Sequence, residues 1–223
     1  MLKAVLFDLD GTLLDTGKGV VRSVEYTIKK MGFHSLTQEQ LESFVGPPIK
    51  NKLKTEFNLD EATAIEGMNV FRKHYGEEDI YIAEPYDGIE DLLVELRKLD
   101  IKTGVATYKR EDQAIKLLQK KGLYQFFDVV HGSDPDGKLS KADVVRLCID
   151  DLECKPTQVV MVGDSDNDAI GASSVGSYFI GVTYGYGFKN EESVSRFENI
   201  GIVNKCSDIF SVFVEYKKGI LDD

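Results

Sequence analysis

Residues 7–15 read FDLDGTLLD, directly after the short apolar run Ala4-Val5-Leu6-Phe7. Asp8 and Asp10 are two positions apart, so in extended backbone their side chains share one side and their charges crowd. Carboxylates held this close raise one another's pKa, and a hard oxygen-seeking cation such as Mg²⁺ removes the conflict. Alone, an Asp-x-Asp after a strand reads equally well as the solvated cap of the next helix. A second cluster, Gly163-Asp164-Ser165-Asp166-Asn167-Asp168, follows another apolar run, Val159-Val160-Met161-Val162, and tips the balance. Acids at the carboxyl ends of two strands of one sheet can converge on a single oxygen-ligand site. Asp164 is the predicted direct ligand. Asp168, four residues on, falls in the first turn of a following helix, and Asp166 is expected to point to solvent.

Two more positions make the set phosphate-shaped. Thr107 ends the run Thr103-Gly104-Val105-Ala106 and precedes a helix predicted to begin near Glu111, so its hydroxyl and the local N–H groups are placed for phosphate oxygens. Lys138 and Lys141, in DGKLSKADVV, are the candidate cations for the remaining charge. Singly, Thr107 reads as a helix cap and either lysine as a surface charge. Only their conjunction with the two acidic clusters points to phosphate chemistry.

The elements that must position these residues follow from the apolar pattern. Runs at Ala4–Phe7, Lys102–Ala106, Asp128–Val130, Val159–Val162 and Tyr178–Val182 alternate with amphipathic helical segments. The expected fold is α/β: a three-layer, Rossmann-like, doubly wound parallel sheet, with ligands beyond the carboxyl ends of its strands. Between the first two strands lie about a hundred residues, where a βα crossover needs about thirty. From Thr16 to Ala83 the patterns are helical only, as in Val20-Val21-Val24-Ile28, with the Val45-Gly46-Pro47-Pro48 turn breaking two helices. Residues 1–15 and 84–223 are therefore expected to form the core, and 16–83 an inserted α-helical cap domain.

The bulk numbers narrow the partners. With 223 residues, 42% of them hydrophobic, the chain can bury a good core. A formal charge of −11 disfavours nucleic acid or an anionic membrane as the main partner. An anionic small substrate is still allowed, because a bound cation offsets local charge. The N-terminus has no signal-peptide pattern, and no stretch reaches the roughly 18 apolar residues of a membrane span, so a cytoplasmic location is expected. Cys148, Cys154 and Cys206 match no metal or redox spacing and read as reduced structural thiols. His34, His74 and His131 have no ligand partner nearby in sequence.

FDLDGTLLD, the Thr of GVATYK, the Lys of SKADVV and VGDSDND occur in the order of the four motifs of the haloacid dehalogenase-like (HAD) phosphatase superfamily. The chain resembles that family along essentially its whole length, with the helical segment where the family inserts a C1-type cap, and it looks most like the phosphoglycolate phosphatase branch. The resemblance implies that Asp8 is the nucleophile that forms an aspartyl-phosphate, and that Asp10 protonates the leaving alcohol and then activates water. It implies Mg²⁺ held by Asp8, the backbone carbonyl of Asp10 and Asp164, with Asp168 in support. Thr107 and a lysine stabilise the transferred phosphoryl group. For that lysine, Lys141 is preferred because it starts the amphipathic helix, 22 residues before Gly163; Lys138 is the fallback.

Other readings fit less of the sequence. A two-component receiver domain shares acids, Thr and Lys, but not the helical insertion or the late acidic cluster. A β-phosphoglucomutase-like phosphomutase shares cap and nucleophile, yet FVGPPIKN shows no recognisable sugar-phosphate contact. A phosphonatase needs a Schiff-base lysine in the cap, whereas Lys50, Lys52 and Lys54 read as a solvated face. A catalytically dead binding protein is disfavoured by the intact acids. The expected partner is a small phosphorylated metabolite, with phosphoglycolate, a 5′-nucleotide, pyrophosphate and a sugar phosphate all open. Lys50 or Arg72 is available for a second anionic group on it. A monomer or weak dimer with a hinged cap is the default. Gly185–Asn190, GYGFKN, lacks the last glycine of a nucleotide loop and is expected to be a tight turn near the acids, and Asp15 to mark the exit into the cap hinge.

Overall fold

The computed structural model describes residues 1–222. Six parallel strands form the central sheet: β1 (Ala4–Phe7), β4 (Lys102–Arg110), β5 (Val129–Ser133), β6 (Val159–Gly163), β7 (Tyr178–Val182) and β8 (Gly201–Val203). Their order is β5-β4-β1-β6-β7-β8. A two-stranded antiparallel ribbon, β2 (Leu14–Asp15) with β3 (Glu84–Pro85), lies outside it. The strand read as 128–130 is centred slightly later. β4 runs four residues past Ala106, with its pairing to β5 shifting register on the way. β8 and the ribbon carry too few apolar residues to show a period of two, so they are absent from the sequence reading.

Alternation along the central strands explains the layers. Val5 and Phe7, Val160 and Val162, Ile180 and Val182 face one hydrophobic cluster; Ala4 and Leu6, Val159 and Met161, and Phe179 face another. The first cluster is covered by α5 (Ile89–Lys98), α6 (Glu111–Lys120) and α10 (Ile209–Asp222), and the second by α7 (Lys141–Asp151) and α8 (Asp166–Val175). A strand buried on both faces must be apolar at every position, which is why β1 reads AVLF. Truncating Phe7, fully buried, to Ala is expected to cost about 3–5 kcal/mol.

The long connection after β2 is helical: α1 (Gly17–Met31), α2 (Gln38–Glu42), α3 (Ile49–Phe57) and α4 (Glu61–His74). In α1, Val20, Val24 and Ile28 recur at helical spacing and are buried, and Gly32 in the left-handed conformation ends the helix. Asp60 starts α4, its carboxylate accepting the Thr63 N–H at 2.7 Å. Beyond His74 the chain widens into a π-turn, Tyr75–Asp79, which brings Asp79 into reach of the Ser23 hydroxyl at 2.8 Å. The ribbon holds both connections to this segment side by side, with the Tyr86 N–H donating to the Leu13 carbonyl at 3.1 Å. α9 (Glu191–Val194) is a single turn between β7 and β8. Among the described residues no helix is long and apolar enough to cross a membrane.

Register fixes the site. Phe7 at the end of β1 pairs with Val105 on one side and Val162 on the other. Asp8, Thr107 and Asp164 therefore leave three adjacent strands at the same end of the sheet.

Candidate active site

Asp8, Asp164 and Asp168 each offer a carboxylate oxygen, and these atoms all lie within 4.8 Å of one another. All three residues are buried. The Asp8 N–H donates to the Val162 carbonyl at 2.9 Å, which carries the β1–β6 ladder one residue further and anchors the first acid. Asp168 sits in the first turn of α8, where its Oδ2 accepts from the Ser165 N–H at 3.1 Å and the Ser165 hydroxyl at 2.6 Å. Asp166, beside it, is exposed as expected.

Lys141 binds this cluster. Its Nζ is 2.6 Å from Asp8 Oδ1 and 2.7 Å from Asp168 Oδ1. The position is set by the start of α7, where the Ser140–Asp143 capping box fixes the first turn and the Lys141 N–H donates to the Tyr108 hydroxyl at 3.0 Å. Gly171 of α8 lets the lysine stem through, because a Cβ there would stand 2.8 Å from Lys141 Cγ. Lys138, the fallback, is 77% exposed and paired with Asp136 at 2.7 Å. The structure thus brings Lys141, and not Lys138, to the acids.

Asp164 is held from a loop the sequence reading treated only as a turn. The N–H groups of Tyr186 and Gly187 donate to its Oδ2 at 2.6 and 3.1 Å. Among the described residues its Oδ1 is buried without a hydrogen-bond partner. The same loop reaches the ribbon and α1: the Tyr184 hydroxyl donates to the Thr12 carbonyl at 2.9 Å, and the Tyr186 hydroxyl accepts the Gly17 N–H at 2.7 Å and donates to Asp15.

Asp10 stands apart from the other acids. Its Oδ1 accepts from the Thr16 hydroxyl at 2.6 Å and lies 3.1 Å from Lys109 Nζ. That ammonium also lies 3.0 Å from the Tyr75 hydroxyl and 4.4 Å from the centre of its ring. Thr107 is buried on β4, and its hydroxyl accepts the Lys109 N–H at 3.1 Å. α6 begins four residues beyond Thr107, at Glu111, so the threonine is on an extended segment and not at the helix start itself. Lys109, Tyr75 and Thr16 are not among the site residues expected from the sequence. Lys109 carries the one usable signal, since it is two positions after Thr107 in extended backbone and so shares its side.

The electrostatics of the cluster suit a bound cation. Burial, which outweighs the opposing Lys141 charge, together with Asp168, Asp164 and Asp10 raises the Asp8 carboxyl above its ordinary range. Burial and Asp168 raise Asp164, against the pull of the Tyr186 and Gly187 N–H groups. Burial opposes the charge on Lys141, but Asp168 and Asp8 prevail and keep it an ammonium. Three converging carboxylates and one unpartnered buried oxygen fit a hard divalent cation.

A buried acidic cluster with one lysine, at the carboxyl end of a parallel sheet beneath a helical insertion, defines a class of phosphate-handling α/β hydrolases. The chain belongs to the haloacid dehalogenase-like hydrolase family, whose model it matches over residues 5–182. It is 33% identical over 188 residues to a 5′-nucleotidase of Pseudomonas aeruginosa, covering 84% of this chain and 85% of that one. It is 35% identical over 184 residues to tyrosine-protein kinase PtkA of Mycobacterium tuberculosis, covering 82% and 62%. A phosphoglycolate phosphatase of Neisseria meningitidis is 32% identical over 194 residues, covering 83% and 82%. The crystal structure of a predicted phosphatase from Clostridium acetobutylicum superimposes with a TM-score of 0.91 at 35% identity, covering 96% of this chain and 99% of that one.

Proposed function

We propose that the protein is a Mg²⁺-dependent phosphatase of small phosphate monoesters, similar to phosphoglycolate phosphatases, that works through an aspartyl-phosphate on Asp8. The observation that carries this reading is the contact of Lys141 Nζ with both Asp8 and Asp168, beside the unpartnered oxygen of Asp164. Asp8, Asp164 and the backbone carbonyl of Asp10 would hold the cation, with Asp168 in support. Bound there, it supplies positive charge that keeps Asp8 ionised and offsets the charge of the phosphate.

The residues divide the reaction between them. An Asp8 carboxylate oxygen attacks phosphorus, the ester P–O bond breaks, and Asp10 delivers a proton to the departing alkoxide. Water then attacks the aspartyl-phosphate, Asp10 takes its proton, and phosphate leaves as the Asp8 carboxylate is restored. Lys141 holds Asp8 in place and stabilises charge on the transferred group, with Thr107 placed to assist. Residues 16–83 act as a cap over residues 1–15 and 84–223, excluding water while the intermediate stands. The proposed form is a cytoplasmic monomer or weak dimer.

Phosphate release from a panel of 2-phosphoglycolate, 5′-nucleotides, pyrophosphate and hexose 1-phosphates, with Mg²⁺ and with chelator, tests the reading. Metal-dependent release that disappears in Asp8→Asn is the expected result. Release that survives this substitution, or conversion of hexose 1-phosphate only with a bisphosphate activator, overturns it, the latter in favour of a phosphomutase.

A further inference from the structure

A cavity of about 300 Å³ opens between the helical segment and the sheet, lined among others by Asp10, Arg72, Tyr75, Tyr108, Lys109 and Arg110. Of the cations around it, Lys109 is paired with Asp10, Arg110 with Asp112, Lys138 with Asp136 and Lys50 with Glu61. Arg72 differs. Half-buried in the last turn of α4, it forms no ion pair among the described residues, and one guanidinium nitrogen donates to the Pro135 carbonyl. The acids nearest to it are already engaged: Asp112 by Arg110, Asp136 by Lys138, and Asp134 by the N–H groups of Lys138 and Leu139 at 2.7 and 2.9 Å.

Resting on the phosphatase reading, we infer that Arg72 recognises a second anionic group, a carboxylate or phosphate, on the part of the substrate beyond the scissile ester. Five N–H donors in a planar fork suit such a group, and one hydrogen bond to Pro135 leaves most of them available. Burial, and after it the like charge of Arg110, disfavours the Arg72 guanidinium as it stands, and an anion bound to it would relieve that cost. The cavity lies at the small end of the roughly 300–1,000 Å³ range of ligand sites. The substrate class that fits is therefore a small phosphorylated acid or a diphosphate, and not an ester with a neutral end. Lys50 is set aside for this role because Glu61 holds it at 2.9 Å.

Binding of non-hydrolysable probes tests this separately from catalysis. Calorimetry at fixed free Mg²⁺ compares phosphonoacetate, which carries a carboxylate, with methylenediphosphonate and with the neutral-ended ethylphosphonate. The wild-type protein is expected to bind one or both anionic-ended probes about 10- to 100-fold more tightly than ethylphosphonate. Which probe gains tells carboxylate from phosphate. Arg72→Gln should abolish the preference, and Arg72→Lys should keep part of it. Equal affinities in the wild type, or an Arg72→Gln loss shared by all three probes, overturns the inference and leaves Arg72 a tie to Pro135. A retained binding preference without metal-dependent phosphate release upholds the anion site and overturns the phosphatase reading instead.

Discussion

Lys109 Nζ lies 3.1 Å from Asp10 Oδ1, so a strand of the sheet delivers a buried ammonium to the carboxylate assigned to proton transfer. The Tyr75 hydroxyl, from the turn that ends the helical segment, meets the same ammonium at 3.0 Å. The helical segment and the acid are thereby joined through one side chain.

Removing that ammonium in Lys109→Met leaves Asp10 buried with only the Thr16 hydroxyl. We expect a stability loss of about 3 kcal/mol in urea unfolding, and a fall in kcat of about 10- to 100-fold. Tyr75→Phe keeps the ring over the ammonium and loses one hydrogen bond, about 1 kcal/mol. Equal kinetic losses in the two variants would show that the hydroxyl, and not the charge, matters at this point.

Lys141→Met is expected to abolish measurable turnover and lower the melting temperature, since Asp8 and Asp168 lose their shared cation. Added Mg²⁺ should restore part of the melting temperature and none of the rate. Lys138→Met, at an exposed lysine, should leave the rate within about twofold of wild type.

Gly185→Ala tests the loop around Asp164. A Cβ at that position would sit 2.4 Å from Asp164 Oδ2 and 2.3 Å from the Gly11 carbonyl, so the loop must move. Disturbing the partners of a metal ligand typically costs about 10–100-fold in affinity, and the Mg²⁺ concentration giving half-maximal activity should rise by that order. An unchanged metal requirement would remove Asp164 from the cation site.

The raised carboxyls set a pH dependence. Folding lifts Asp8 to about 8 and Asp164 to about 7 in the metal-free protein, above their ordinary value of 3.8. Between these limits the folded state binds more protons than the unfolded one, so stability falls as pH rises through the window. The shift on Lys141 acts only at more alkaline pH. In chelator, the melting temperature should drop between about pH 5 and pH 8, and Mg²⁺ should raise it more at the upper end. A metal-free melting temperature that climbs over this range contradicts the electrostatic account.

The acids that carry the site were legible because each follows an apolar run that can only be a buried strand, and strand ends in a parallel sheet face one way. Lys141 was separable from Lys138 by its place at the start of an amphipathic helix. Lys109 was hidden because its meaning depends on Tyr75, 34 residues away, and on β4 staying extended past Thr107. Tyr75 itself continues the apolar helical spacing of Phe71, on whose ring it stacks, and so looks like one more core position. β8 and the two-residue ribbon escaped notice because pairing to neighbours, and not local pattern, makes them strands. The hold of Tyr186 and Gly187 on Asp164 uses backbone N–H groups, which every residue but proline has and no sequence displays.

Tyr186 gives its N–H to Asp164 and its hydroxyl to Asp15, at the neck through which the chain passes into α1. One residue thus touches both an acid proposed to hold the cation and the neck of the helical segment. Linkage between such sites runs equally in both directions. Whatever free energy a bound ion would spend in seating Asp164 would be felt as stiffness at the neck, and any movement of the helical segment there would be reported back as a change in how firmly that ion is held.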